Sequence, residues 1–339
     1  MDQPTTDSSY PPLFLTPRSH HNPTPKSTSL QPGPTLQVPL LDLQHLHPNL
    51  LSQSCQNLGL FRLTNHGVPP GLSARLFALA KEILSRPFES KVAKFADGAV
   101  KYFWGTPAVT LSVKDLNWLE GLHVSLGRLA PAASEAQFGD FRNLAIEYCV
   151  HMARISRTLF NTVANDLNLD VEQRAASLSE SNGIFRIYRY PICPHPSGYL
   201  GMEAHTDSSV LTILNEDDVG GLQVLHENAW FNVVPVPGTL IVNLGDLMQV
   251  ISDDRYNSVK HRVLANGIAE RLSLGYFVFP QEDSVLRSST YRQFTLKEFR
   301  AQVQEDITKT GSKVGLKQFK IEKPELSKNS LKHSILPST

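Results

Sequence analysis

From about residue 183 the chain breaks into short β-like runs separated by turns, and this texture limits the fold more than any other feature. The runs are Ile184–Tyr190, Val210–Leu214, Leu222–Leu225, Trp230–Val234, Thr239–Asn243, Ser258–Leu264 and Leu272–Phe279, punctuated by Gly220-Gly221, Pro235 to Gly238, Gly245-Asp246 and Asn266-Gly267. Many short, evenly spaced strands imply a closed barrel or jelly roll. Upstream the period changes. Leu144, Tyr148, Met152, Ile155, Leu159, Val163 and Leu167 recur at steps of three and four, which predicts a helix over about 141–167 that buries one apolar stripe against a sheet. A second helical pattern runs from Leu72 to Leu84 and stops at Arg86-Pro87. Before it, Val38–Leu43 and the stretch from Leu58 to Pro69 read as short strands, the second closed by a turn. Helices first and strands later make this an α+β chain with a mainly β core and supporting N-terminal helices.

With 339 residues, 41% hydrophobic and 19% charged, the chain can bury a large core. Lys+Arg and Asp+Glu both number 32, so the formal net charge is zero, which argues against a nucleic-acid or membrane-surface partner. No apolar run approaches the roughly 20 residues of a membrane span. Three cysteines without a CxxC are expected to be buried free thiols of a reducing compartment. The expected setting is the cytoplasm, with the nucleus open as well. Residues 1–36 are rich in Pro, Ser and Thr and lack an apolar signal core, while Asp2, Asp7 and the scarcity of Arg argue against a transit peptide. They are expected to form a disordered leader. The ordered part divides into a helical and strand region at 37–180 and a jelly-roll domain at 181–320. The segment 308–320 looks like the end of the fold, and 321–339 like a flexible tail.

Chemistry concentrates in a few strings. His205-Thr206-Asp207 lies on β-like sequence, where i and i+2 project from one face. His261 follows far downstream in the run Ser258–Leu264, and a jelly roll can return such a strand beside the first. Two imidazoles and one carboxylate are the ligand set of a mononuclear non-haem Fe(II) site, although Zn(II) and Mn(II) accept the same donors. The plainer roles are a turn histidine, a capping aspartate and a sheet-paired histidine. In Arg271–Phe279, Leu272, Leu274, Tyr276 and Val278 share one face, and Arg271 and Ser273 share the other. An inward arginine is costly unless an anion meets it. A guanidinium grips a carboxylate with two parallel bonds, and a serine hydroxyl can donate alongside. The plainer role is a surface salt bridge.

The ordered set Pro39-x-Leu-Asp42, Gly59-Leu-Phe61, Asn65-His66-Gly67, His205-Thr206-Asp207, Gly220-Gly221-Leu222-Gln223-Val224, Asn243-x-Gly245-Asp246, His261-Arg262-Val263 and Arg271-x-Ser273 resembles the plant 2-oxoglutarate- and Fe(II)-dependent dioxygenases from about Val38 to Phe319. The resemblance implies a double-stranded β-helix (jelly-roll) core. It implies His205, Asp207 and His261 as iron ligands, with Arg271 and Ser273 holding the distal carboxylate of 2-oxoglutarate. The family's Asn-x-Tyr-Pro string corresponds here to Tyr188-Arg189-Tyr190-Pro191; Tyr190 keeps the co-substrate tyrosine, and Tyr188 replaces the asparagine.

Within the family, Tyr102-Phe103-Trp104-Gly105-Thr106-Pro107 and the ending Lys309 to Leu316 are similar to gibberellin 2-oxidases that act on C20 gibberellins, with Phe103 where that group usually has arginine. The implied reaction consumes O2 and 2-oxoglutarate, with ascorbate as a supporting reductant, and hydroxylates a gibberellin at the 2β position to inactivate it. The alternatives are oxidation of another gibberellin carbon, of a different plant metabolite such as a flavonoid, or an ascorbate-using oxidase relative. A non-catalytic binding module is disfavoured, because all three ligand types are present. A small-molecule substrate and a monomer are expected. Trp104, Phe103, Phe185 and Tyr188 are candidates for the substrate wall, with core packing as the plainer role of each.

Overall fold

The structure is a computed structural model and describes residues 7–15, 33–96, 98–105, 116–128, 139–196, 199–310 and 313–322. The strands are β1 (Leu40–Asp42), β2 (Leu60–Thr64), β3 (Val100–Trp104), β4 (Glu120–Ser125), β5 (Ser179–Tyr190), β6 (Leu200–His205), β7 (Leu211–Glu216), β8 (Leu222–His226), β9 (Ala229–Asn232), β10 (Leu240–Leu244), β11 (His261–Leu264) and β12 (Arg271–Phe279). The helices are α1 (Pro12–Leu15), α2 (Pro48–Asn57), α3 (Pro70–Leu84), α4 (Phe88–Lys94), α5 (Gly139–Asp166), α6 (Val171–Ser177), α7 (Asp246–Ile251) and α8 (Leu296–Thr310). None of the described helices is long and apolar enough to cross a membrane.

These strands form a major sheet in the order β1-β2-β10-β7-β12-β5-β4-β3 and a minor sheet in the order β6-β11-β8-β9, and a separate two-stranded sheet pairs Val285–Leu286 with Phe294–Thr295. This is the expected jelly roll with helices at its back. The predicted stripe of α5 is buried: Tyr148, Met152, Ile155, Leu159 and Val163 are all under 4% exposed. It packs on the outward face of the major sheet, where Tyr148 meets Phe185 of β5 with ring centroids 5.5 Å apart. Between the sheets lies a second apolar layer that includes Leu60, Tyr188, Tyr190, Leu222, Val224, Ile241 and Val263. A strand shared by two such layers must be apolar on both faces, and β10 (Leu-Ile-Val-Asn-Leu) is buried at every position.

Two expectations need correction. The division at 180/181 falls inside β5, and β1 to β4 join the same sheet as β5, β7, β10 and β12. The early strands cannot bury their faces without the later ones, so 37–180 and 181–320 share one sheet. The leader is not disordered throughout. Phe14 of α1 is 5% exposed and stacks on Trp118 with centroids 4.2 Å apart. Residues 1–6 and 16–32, and the expected tail beyond Glu322, lie outside the described residues.

What receives the leader is a buried charge cluster. Glu120 of β4 is fully buried and takes Lys91 of α4 on one oxygen (2.6 Å) and Arg189 of β5 on the other (2.9 Å). The remaining donors reach the leader and the end of α3: Lys91 Nζ bonds Ser9 O at 2.7 Å, and both cations bond Leu84 O. Tyr10 lays its ring 5.0 Å from the Arg189 guanidinium carbon. Removing one member of a buried ion group strands the others. Glu120→Gln is therefore expected to cost roughly 3–5 kcal/mol in chemical denaturation and to alter the tryptophan fluorescence of the Trp104–Trp118 region; an unchanged denaturation midpoint would contradict the role given to the cluster.

Candidate active site

His205 closes β6 and His261 opens β11, and the two face each other in the antiparallel register. Their ring centroids are 4.3 Å apart. Asp207 does not lie on the strand, as the i, i+2 argument requires; it follows the strand end, in the loop leading to β7. It reaches the histidines because that loop is pinned. Asp246 N donates to Asp207 O (2.8 Å), and the chain at Gly245 approaches so closely that a Cβ there would lie 2.1 Å from Ser209 O. This close approach accounts for the glycine of Asn243-x-Gly245-Asp246. From the other side, Lys313 Nζ donates to Thr206 O (2.5 Å) and pairs with Asp246 Oδ2 (2.7 Å).

One nitrogen of each histidine and one carboxylate oxygen of Asp207 lie within 4.8 Å of one another. Asp207 Oδ1 is 3.6 Å from His205 Nε2 and 3.9 Å from His261 Nε2. Neighbouring ligand atoms on an ion with ~2.1 Å bonds would be roughly 3 Å apart, so small side-chain movements would bring all three onto one ion. The far sides of the ligands are already engaged. His205 Nδ1 lies 2.7 Å from Glu203 O, and His261 Nδ1 lies 3.1 Å from Val259 O. An Nδ1–H donated to a carbonyl leaves Nε2 as the ligand atom. Asp207 Oδ2 accepts from Thr212 Oγ1 (2.7 Å) and Asn243 Nδ2 (2.8 Å), which leaves Oδ1 for a metal.

Burial alone would raise the Asp207 carboxyl, but His261, His205 and the Asn243 amide hold it well below the usual carboxylate range. Burial, and then the neighbouring His205, push the His261 imidazole down to about 4. Both groups are thus held in the deprotonated forms that metal ligation needs. The donor set of two imidazoles and one carboxylate on one side fits Fe(II) with positions left open.

Arg271 and Ser273 point into the same cavity from β12, as their shared face predicts. Arg271 is 1% exposed, donates from Nη1 to Ser273 Oγ (3.2 Å), and lies 5.0 Å over the Tyr190 ring. Its Nε has no hydrogen-bond partner among the described residues. A buried donor without an acceptor is what an anion site looks like before its anion arrives. Tyr190 and Tyr188 line the cavity with the ligands and with Leu60, Met202 and Phe277.

Of the remaining wall candidates, Phe185 is displaced. It is fully buried in the core against α5, because alternation along β5 sends Tyr188 and Tyr190 inward and Phe185 outward. Trp104 packs with Phe14 and Phe88 rather than in the cavity. Phe103 sits behind Tyr188, with ring centroids 5.8 Å apart. Thr106, Pro107, Gly311 and Ser312 of the two gibberellin-oxidase-like strings lie outside the described residues.

The sequence reading missed several participants. Thr212 and Asn243 orient Asp207, and Lys313 fixes its loop. Arg186, two residues before Tyr188, lies 5.8 and 5.6 Å from the ring centroids of Phe103 and Phe277 and donates to His123 Nδ1 (3.1 Å) and Tyr188 Oη (3.3 Å). An arginine on the same strand face as Tyr188 and Tyr190 was the available signal for it. Groups that orient a metal ligand typically contribute 10- to 100-fold to metal affinity. Asn243→Ala is expected to weaken Mn(II) or Fe(II) binding by about that factor while leaving the melting temperature nearly unchanged, as read by calorimetric titration without oxygen.

Comparison with known proteins agrees with this geometry. Residues 181–280 match the 2OG-Fe(II) oxygenase superfamily, and residues 38–138 match the non-haem dioxygenase in morphine synthesis N-terminal family. The chain is 36% identical over 307 residues to gibberellin 2-beta-dioxygenase 6 of Oryza sativa subsp. japonica, covering 83% of this chain and 84% of the relative. It is 38% identical over 279 residues to gibberellin 2-beta-dioxygenase 8 of Arabidopsis thaliana, covering 79% and 80%. Among solved structures, JOX2 in complex with 2OG, Fe and JA superposes with a TM-score of 0.71 at 25% identity, over 93% of this chain and 95% of that one. The chain belongs to the 2OG-Fe(II) oxygenase superfamily and is an Fe(II)- and 2-oxoglutarate-dependent dioxygenase acting on a small molecule.

Proposed function

We propose that the chain oxidises a gibberellin, by 2β-hydroxylation that inactivates the hormone or its precursor. The observation that carries this reading is the 36% and 38% identity, over most of both chains, to relatives named for that activity. An apolar acid also suits the cavity's outer side. Tyr188 and Phe277 present their rings to the cavity, and Arg186, which donates to Tyr188 Oη and lies against Phe277, has no carboxylate within ion-pair distance among the described residues. The proposed enzyme acts as a monomer, and the free, buried thiols of Cys55, Cys149 and Cys193 suit a cytoplasmic or nuclear setting.

In this reading His205, Asp207 and His261 hold the iron. Arg271 and Ser273 receive the distal carboxylate of 2-oxoglutarate, with Tyr190 beneath the guanidinium. Bound iron and 2-oxoglutarate supply the oxidising power, coupling decarboxylation of the oxo-acid to C–H oxidation. The protein's part is placement. Asn243 and Thr212 fix which oxygen of Asp207 faces the metal, and the two backbone carbonyls fix the imidazoles. The apolar layer around Leu222, Ile241 and Val263 keeps water from the reacting centre. No side chain is needed as a general base.

With Fe(II) loaded anaerobically and ascorbate present, the protein is expected to hydroxylate labelled gibberellins only when 2-oxoglutarate and O2 are added, with products identified by mass spectrometry. Absence of product from every gibberellin would redirect the substrate assignment, and turnover with ascorbate alone would overturn the co-substrate. His205→Ala, Asp207→Ala and His261→Ala should each abolish succinate formation. Arg271→Lys should raise KM for 2-oxoglutarate about ten-fold, since an ammonium cannot reproduce the two-pronged contact; an unchanged KM would count against the anchor.

A further inference from the structure

Arg271 is not the only buried cation in its corner of the cavity, and it is not unpaired. Glu216, the last residue of β7, stands opposite Ser273 in the β7–β12 register, on the same face as the cavity residues Thr212 and Leu214. Its side chain is 4% exposed. Oε2 accepts from Arg271 Nη2 at 3.0 Å, and Oε1 lies 3.4 Å from Arg62 Nη2. Arg62 comes from β2, is 3% exposed, and also donates to Thr239 Oγ1 (3.1 Å) and Val234 O. One carboxylate therefore bridges two buried guanidiniums. Asp217 beside it is committed elsewhere, accepting from the backbone N–H groups of Leu272 (2.5 Å) and Val219 (3.1 Å).

We infer that Glu216 is a resident anion that occupies part of the Arg271 guanidinium and thereby sets the affinity for the distal carboxylate of 2-oxoglutarate. This rests on the assignment of Arg271 as the anchor. Two guanidiniums this close and this buried would repel each other without an anion between them. Glu216 removes that repulsion in the ligand-free protein. The same charge opposes an arriving carboxylate. The arrangement also provides for that arrival, because Arg271 keeps a buried Nε without a partner among the described residues and Glu216 has Arg62 as a second cation to lean on. With the dicarboxylate bound, two cations face two anions and the corner is balanced. Glu216 is a positioning residue: it tunes Arg271 and takes no part in the chemistry.

The test is calorimetric titration of the Mn(II)-loaded full-length protein without oxygen, using two ligands. 2-Oxoglutarate carries the distal carboxylate; 2-oxobutyrate has the same oxo-acid head and lacks it. Glu216→Gln keeps an oxygen that accepts from Arg271 and removes the charge. It is expected to tighten 2-oxoglutarate binding about ten-fold and to leave 2-oxobutyrate within two-fold. Its melting temperature should fall without ligand and rise more than the wild type's when 2-oxoglutarate is added. Arg62→Gln gives Glu216 wholly to Arg271 and should weaken 2-oxoglutarate several-fold, again sparing 2-oxobutyrate; it decides the matter if circular dichroism shows that Glu216→Gln does not fold. Unchanged or weaker 2-oxoglutarate binding in Glu216→Gln, or an equal gain for both ligands, overturns the inference. Arg271→Gln separates the two levels. If it preserves the wild-type preference for 2-oxoglutarate, the anchor falls and the inference with it. If it removes that preference while Glu216→Gln changes nothing, only the inference falls.

Discussion

In the antiparallel pair of β6 and β11, His261 stands opposite His205, and the metal chemistry hangs on that register. Side chains alternate between faces along a strand, so a slip of one residue in either partner would turn one imidazole away from the other. The register is held by burial on both sides. Val263 of β11 lies in the layer between the sheets and Met202 of β6 packs against it, so a slip that moved a histidine would carry one of these apolar groups with it. The third ligand follows a different rule. Asp207 lies past the end of the strand and depends on hydrogen bonds from Asn243 and Thr212 and on the pinned loop around it. Two ligands are set by sheet geometry and one by a polar network.

The same division runs through the rest of the molecule. Apolar alternation decides which face a residue takes, and buried charges decide where separate elements meet. Glu120 brings β4, β5, α4 and the leader together. Glu216 brings together β2, β7 and β12. Each sits where an unpaired cation would be costly. Neither is needed to build a jelly roll, and both fix relations that apolar packing alone would leave loose.

This explains what could be read from the sequence. The helix at α5, the succession of short strands and the shared face of Arg271 and Ser273 all follow from periodicity, which is local. Tyr190 lies against Arg271, with the guanidinium carbon 5.0 Å from its ring centroid. The carboxylate between Arg271 and Arg62 was invisible, because Arg62 and Glu216 are far apart in the chain and only the β2-β10-β7-β12 strand order unites them. Phe185 was misplaced for a simpler reason: on a strand buried on both faces, aromatic character does not say which face a residue takes. β3 and β4 carry mixed polar and apolar residues, and the pairing of β4 with β5 and of β3 with β4, rather than their own pattern, makes them strands.

The leader shows how composition can mislead. A segment averaging Pro, Ser and Thr looks solvated, yet a handful of side chains decides whether it docks. Phe14 covers Trp118, and Ser9 Oγ accepts from Arg189. Residues 7–15 are thus a wedge in the wall of the fold rather than a handle hanging from it. Anything that trims the chain ahead of Val38 would uncover aromatic surface and leave donors of the Glu120 cluster facing water, and the damage would reach β5, the strand that carries Tyr188 and Tyr190 into the cavity.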